Sequence, residues 1–69
     1  MTYYAIRYII KGGEVKAPVI KQGAKEDMER QYYLFCASAA TNGDENDMDA
    51  IEFGTIEGGK LERKVFDRR

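Results

Sequence analysis

The sequence predicts an α+β fold, β-β-α-β-β: a four-stranded antiparallel sheet in the order 2-1-3-4 with one helix packed on one face. Three observations carry this. The run from Thr2 to Lys11 alternates as a half-buried strand does, and residues 24–42 hold the one stretch with apolar residues at helical spacing. The glycine pairs Gly12-Gly13 and Gly58-Gly59 each sit between two strand-like runs. At 69 residues the chain makes one domain, divided into a hairpin (2–22), the helix (24–42), an acidic loop (43–48) and a second hairpin (49–66).

In the first strand Tyr4, Ile6, Tyr8 and Ile10 point one way and Tyr3, Ala5, Arg7, Ile9 and Lys11 the other. The first set is the more apolar and is expected under the helix. Pairing across Gly12-Gly13 sets Ile10 opposite Val15, Tyr8 opposite Ala17 and Ile6 opposite Val19. Pro18 has no N–H and belongs on an edge or at a bulge. A two-residue turn would aim its nitrogen at Arg7, so a four-residue loop over residues 11–14 is expected, with the second strand at the edge.

The helix places Ala24, Met28, Tyr32, Phe35, Cys36 and Ala39 in one sector of roughly 120°, the width of a core-facing stripe. Glu26, Asp27 and Glu29 suit its N-terminus, and Thr41-Asn42-Gly43 its C-terminus. In the second hairpin Ile51, Phe53 and Thr55 share a face. A three-residue loop ending in a left-handed glycine pairs Ile51 with Val65, Thr55 with Leu61, and sets Glu52 beside Lys64. The repeated pattern of the hairpins, Ile10 to Val19 against Ile56 to Val65, reflects either a duplicated hairpin or shared turn chemistry, of which the second is favoured. An edge position for the second strand and a right-handed crossover then put the third strand beside the first.

The net charge of −1 conceals segregation: residues 1–25 carry +4, residues 26–57 carry −8 and residues 58–69 carry +3. Such a pattern marks either a binding face or the mutual attraction of two hairpins and an acidic loop. One cysteine and no histidine exclude an intrachain disulfide and the usual zinc sites, and a reducing, cytoplasmic setting is expected. No apolar run is long enough for a membrane span, and none has the form of a signal peptide.

Catalysis is not expected. Cys36 falls on the core face, where thiols are inert, and Ser38 and Thr41 have no base beside them in sequence. No cofactor is called for. Asp44, Asn46 and Asp47 are oxygen donors, but a calcium loop starting at Asp44 would need different residues where Met48, Asp49 and Thr55 stand, so no metal site is expected.

Two binding surfaces remain. Tyr33, Ala37 and Ala40, with Leu34 nearby, make the back of the helix apolar where a helix over one sheet should be polar, and this patch is the candidate protein interface, for a second copy or another protein. Arg7, Lys16 and Lys64 with Tyr3 are expected on the outer sheet face, where cations beside aromatics could stack single-stranded nucleic acid.

Tyr3 to Ile10, Cys36-Ala37-Ser38-Ala39-Ala40 and Gly54-Thr55-Ile56-Glu57 resemble short proteins of unassigned role encoded by bacteriophages and integrated mobile elements of gram-positive bacteria. The resemblance implies the β-β-α-β-β fold and a mobile-element context, in which small proteins often act by binding, for example by masking a host or defence protein. A non-catalytic protein-interaction module is therefore the expected function, with nucleic-acid binding as the alternative.

Overall fold

A computed structural model describes residues 1–41 and 46–68, and of Ala17 the backbone only. The order is β1 (Tyr3–Lys11), β2 (Glu14–Gly23), α1 (Lys25–Thr41), β3 (Met48–Thr55) and β4 (Gly59–Asp67). All pairings are antiparallel, in the spatial order β2-β1-β3-β4. The helix lies chiefly over the central strands β1 and β3.

The helix buries the stripe its spacing prescribes except at Ala24. Met28, Tyr32, Phe35 and Ala39 are buried, Cys36 is half-buried, and Ala24, just before the helix, is exposed. Glu26 and Asp27 occupy the first turn, where the amide dipoles favour acids. Against the buried stripe the sheet contributes Ala5, Ile51 and Phe53, with Tyr3 and Phe66 at the margin. Aromatic contacts join the layers: the Tyr3 and Phe53 rings stack at 5.8 Å, and Tyr32 meets Phe53 at 6.1 Å.

The expected faces of β1 are exchanged. Tyr3, Ala5 and Arg7 lie under the helix, whereas Tyr4, Ile6, Tyr8 and Ile10 belong to the open side of the sheet. The reason lies across the β1–β3 seam. Ala5 pairs with Phe53 and Arg7 with Ile51, so the row of β1 that shares a face with the apolar row of β3 is the one containing Arg7. Ala5 is small enough for the helix to settle onto it. Arg7 is accepted because Asp49, in the same row of β3, neutralises it.

The first turn also differs from expectation. Lys11 pairs with Glu14 and Ile10 with Val15, so the loop has two residues, Gly12 (φ 63°) and Gly13 (φ 80°), both left-handed. Pro18 is accommodated by a β-bulge instead of a longer loop. Ile9 pairs with Lys16 but Arg7 with Val19, so Ala17 and Pro18 together face Tyr8 and the ladder asks no hydrogen bond of the proline there. Past the bulge Ile6 faces Ile20, not Val19.

A second bulge shifts the other hairpin. Thr55 pairs with Gly59 and Gly54 with Lys60, but Phe53 with Glu62, which leaves Leu61 as the extra residue. Gly59 is left-handed (φ 83°), as the turn requires, and the Gly58 N–H donates to Thr55 Oγ1 at 2.7 Å. Ile51 consequently meets Lys64, Glu52 meets Arg63 and Ala50 meets Val65, one residue away from the expected register. Val65 turns to the open side, and Lys64 to the helix side. The Asn42-Gly43 cap and Asp44 lie outside the described residues.

Candidate functional site

Beneath the C-terminal half of α1 sits a polar cluster that the sequence reading missed. Asp49, fully buried, accepts from Arg7 Nη2 at 2.6 Å and Nε at 3.2 Å, and from Asn46 Nδ2 at 3.0 Å. Arg7 Nη1 donates to Ser38 Oγ at 3.0 Å. Arg68 Nη1 stands 3.8 Å from Asp49, and its Nη2 donates to the Ala39 carbonyl in the last turn of the helix. The cluster binds β1, β3, α1 and the segment after β4 to one carboxylate, and none of the described buried side-chain polar atoms is left without a hydrogen bond. Its chemistry is structural. A sequence signal existed: Asp49 shares the alternation of Ile51 and Phe53, and an acid in a core row demands a base from the facing row.

The nucleic-acid face read from the sequence is not assembled. Tyr3 stacks in the core margin and the Arg7 guanidinium is committed to Asp49. Lys64 lies on the helix side over the Phe66 ring at 5.6 Å, while Lys16 pairs with Glu14 at 3.5 Å. Alternation placed the four on one outer face; the exchange of faces in β1 and the bulge in β4 carry them instead to the side that the helix occupies.

The back of the helix is as expected in placement. Tyr33 and Leu34 are more than half exposed, and Ala37 and Ala40 lie exposed beside them at helical neighbour spacing. Tyr33 is steadied by the edge of Tyr32, 5.4 Å between centroids. Glu26, Glu29 and Arg30 border the same shallow hollow as Tyr33 and Leu34, which mixes charge into the patch.

The larger apolar surface is the open face of the sheet. There Tyr4, Ile6, Tyr8 and Ile10 of β1 are only half-buried, flanked by Ile20 (53 % exposed) and Val15 (60 %) on β2. On the other side stand Met48 and Ala50 of β3 and Val65 of β4. Charge appears on this face at both ends of β4: Lys60 pairs with Glu52 at 3.4 Å and Arg63 stands opposite Glu52 toward one, and Asp67 stands opposite Met48 at the other. The Tyr4 hydroxyl closes over Gly54, and partial burial, then Glu52 and Tyr8, push its pKa up.

The candidate nucleophiles have other occupations. Burial raises the Cys36 thiol pKa, although its hydrogen bond with Tyr32 and the charge of Lys64 pull it back. Ser38 holds Arg7, and the Thr41 hydroxyl donates to the Ala37 carbonyl at 2.9 Å. Of the calcium candidates, Asn46 donates to Asp49, and Asp47 accepts the Gly12 N–H at 2.9 Å. Among the described residues no group of three or more His, Cys, Asp or Glu could hold a metal ion, and no helix is long and apolar enough to cross a membrane. No family model matches the chain, and neither a curated protein nor a solved structure matches it significantly.

Proposed function

We propose that this protein is a non-catalytic protein-interaction module that docks a partner on the open face of its sheet. One observation carries the reading: Ile6, Tyr8, Ile10, Val15, Ile20 and Val65 form a contiguous apolar surface that the single helix, lying on the other face, leaves uncovered. Contiguous exposed apolar surface on a small domain marks an interaction site, and Tyr8 at its centre supplies large contact area at low entropic cost. The resemblance to short phage and mobile-element proteins supports a cytoplasmic host or defence protein as the partner. The helix back, Tyr33, Leu34, Ala37 and Ala40, is smaller and bordered by charges, and takes second place.

The test compares surface variants in quantitative affinity enrichment from a host lysate, with far-UV circular dichroism to confirm folding. Val15→Glu/Ile20→Glu should lose the proteins captured by the unmodified chain, and Leu34→Glu should keep them. The reverse pattern would move the site to the helix. Labelled single-stranded oligonucleotides should show no binding at physiological salt; micromolar, salt-sensitive binding would replace the protein reading with the nucleic-acid one.

A further inference from the structure

The two edges of the sheet differ. β2 is interrupted by its bulge and by Pro18, which spoil it as a template for another strand. From Glu62 to Asp67, β4 runs unbulged and without proline. The Arg68 N–H donates to the Asp47 carbonyl at 2.8 Å, one step beyond the last β3–β4 pair, and this sets the phase of the ladder. Asp49 with Phe66 and Ile51 with Lys64 are then the pairs that exchange hydrogen bonds, so the backbone groups of Arg63 and Val65 point away from β3, out of the sheet edge.

Charged side chains on an edge ordinarily keep other strands away. In β4 they also compose a self-complementary sequence. A second copy approaching antiparallel about a two-fold axis normal to the sheet keeps the helix faces on one side. With Val65 on the axis, Arg63 faces Asp67 of the second copy and Lys64 faces the Phe66 ring, each contact occurring twice, while Glu62 stands opposite Arg68, whose guanidinium is held within its own copy by Asp49 and the Ala39 carbonyl. Every other register centred between Glu62 and Asp67 sets like charges opposite: Glu62, Arg63, Lys64 or Asp67 against itself, or Lys64 against Arg68. The favoured register also brings the outward backbone groups of Val65 together as a hydrogen-bonded pair.

We propose that β4 pairs with β4 of a second copy in this register, joining two four-stranded sheets into one of eight strands. The hollow lined by Tyr32, Tyr33, Cys36, Glu62, Arg63 and Lys64 runs along the same edge, between α1 and β4. In the dimer the two hollows meet at the axis as one trough between the helices. This assembly is independent of the partner site on the open face, which it extends but does not cover.

Sedimentation velocity at rising concentration tests it. The unmodified protein should approach twice the monomer mass at high micromolar concentration. Val65→Pro removes an outward N–H at an edge position where proline is tolerated, and Arg63→Asp reverses two of the cross-axis pairs; each should weaken the dimer by about tenfold or more. Arg63→Asp/Asp67→Arg restores both pairs and should restore the dimer, whether or not Val65→Pro folds. A protein that stays monomeric throughout overturns the proposal, as does a dimer that ignores Val65→Pro and Arg63→Asp but is split by Ala37→Arg on the helix or by Ile20→Glu on the open face.

Discussion

Removal of the Asp49 carboxylate is the sharpest test of how the layers are assembled. The group has no solvent exposure, accepts three hydrogen bonds between 2.6 and 3.2 Å, and serves two guanidinium groups. In Asp49→Leu the Arg7 side chain, only 13 % exposed, keeps Ser38 as its remaining hydrogen-bond partner among the described residues. Breaking a buried pair from one side costs about 3–5 kcal/mol, against a total stability of about 3–10 kcal/mol for a domain of this length. Asp49→Leu should therefore unfold much of the protein at room temperature. Arg7→Met should cost less, because Asp49 retains Asn46 and has Arg68 within 3.8 Å to replace the lost cation. The double variant removes both desolvated charges and should be more stable than Asp49→Leu alone, the expected sign when an ion pair gives way to apolar groups of similar size. Urea unfolding followed by far-UV circular dichroism measures all three. If both single variants cost under about 1 kcal/mol, the pair is solvated, as surface pairs are, and the assignment of the Arg7 row to the helix face is wrong.

Other expectations follow from single residues. An alanine Cβ at Gly54 would meet the Gly59 backbone carbonyl and the Tyr4 hydroxyl, so Gly54→Ala should lower the urea midpoint by the equivalent of about 1–3 kcal/mol, more than Gly58→Ala, whose close contact is with one side chain, Thr55, and not with backbone. Burial, then Cys36, pushes the Tyr32 phenol up to about 12, above its ordinary value of 10.0; the neutral form belongs to the fold, so the stability it contributes is full below pH 10 and is lost as pH rises toward 12. Tyr32→Phe should flatten that part of the thermal-unfolding profile. A thiol reagent at neutral pH should label Cys36 well below the rate seen in urea, since the thiol is half-buried with a raised pKa; labelling at the unfolded rate would place it outside the core.

The parts of the fold that were legible in sequence are those where one pattern has one reading. Met28, Tyr32, Phe35 and Ala39 recur at helical spacing and can face only one way; Ile51, Phe53 and Thr55 similarly declare the core row of β3. β1 was different because both of its faces are apolar. Alternation alone favoured the row with Tyr4, Ile6, Tyr8 and Ile10, and the deciding fact, an Arg7–Asp49 pair bridging 42 positions, is a relation between strands that no local pattern contains. The bulges at Pro18 and Leu61 escaped for a related reason. One inserted residue reverses every side chain beyond it, and the insertion answers to ladder pairing rather than to composition. For the candidate site, the helix back was readable because it lies on a regular helix. The open sheet face was misassigned together with the strand that forms it.

The central seam of the sheet, β1 against β3, joins strands that the whole helix separates in the chain. Each hairpin closes through a short turn, but an isolated two-stranded hairpin is at best marginally stable in water. The costly event in folding is thus the meeting of the two halves, which orders the helix and brings Arg7 to Asp49 at the same moment. Loop closure at that range makes the barrier chiefly entropic, so the rate is governed by topology and only weakly by the strength of either turn. The halves are consequently not modules in waiting: a chain severed between Thr41 and Asn46 would yield two fragments that acquire structure only in each other's presence.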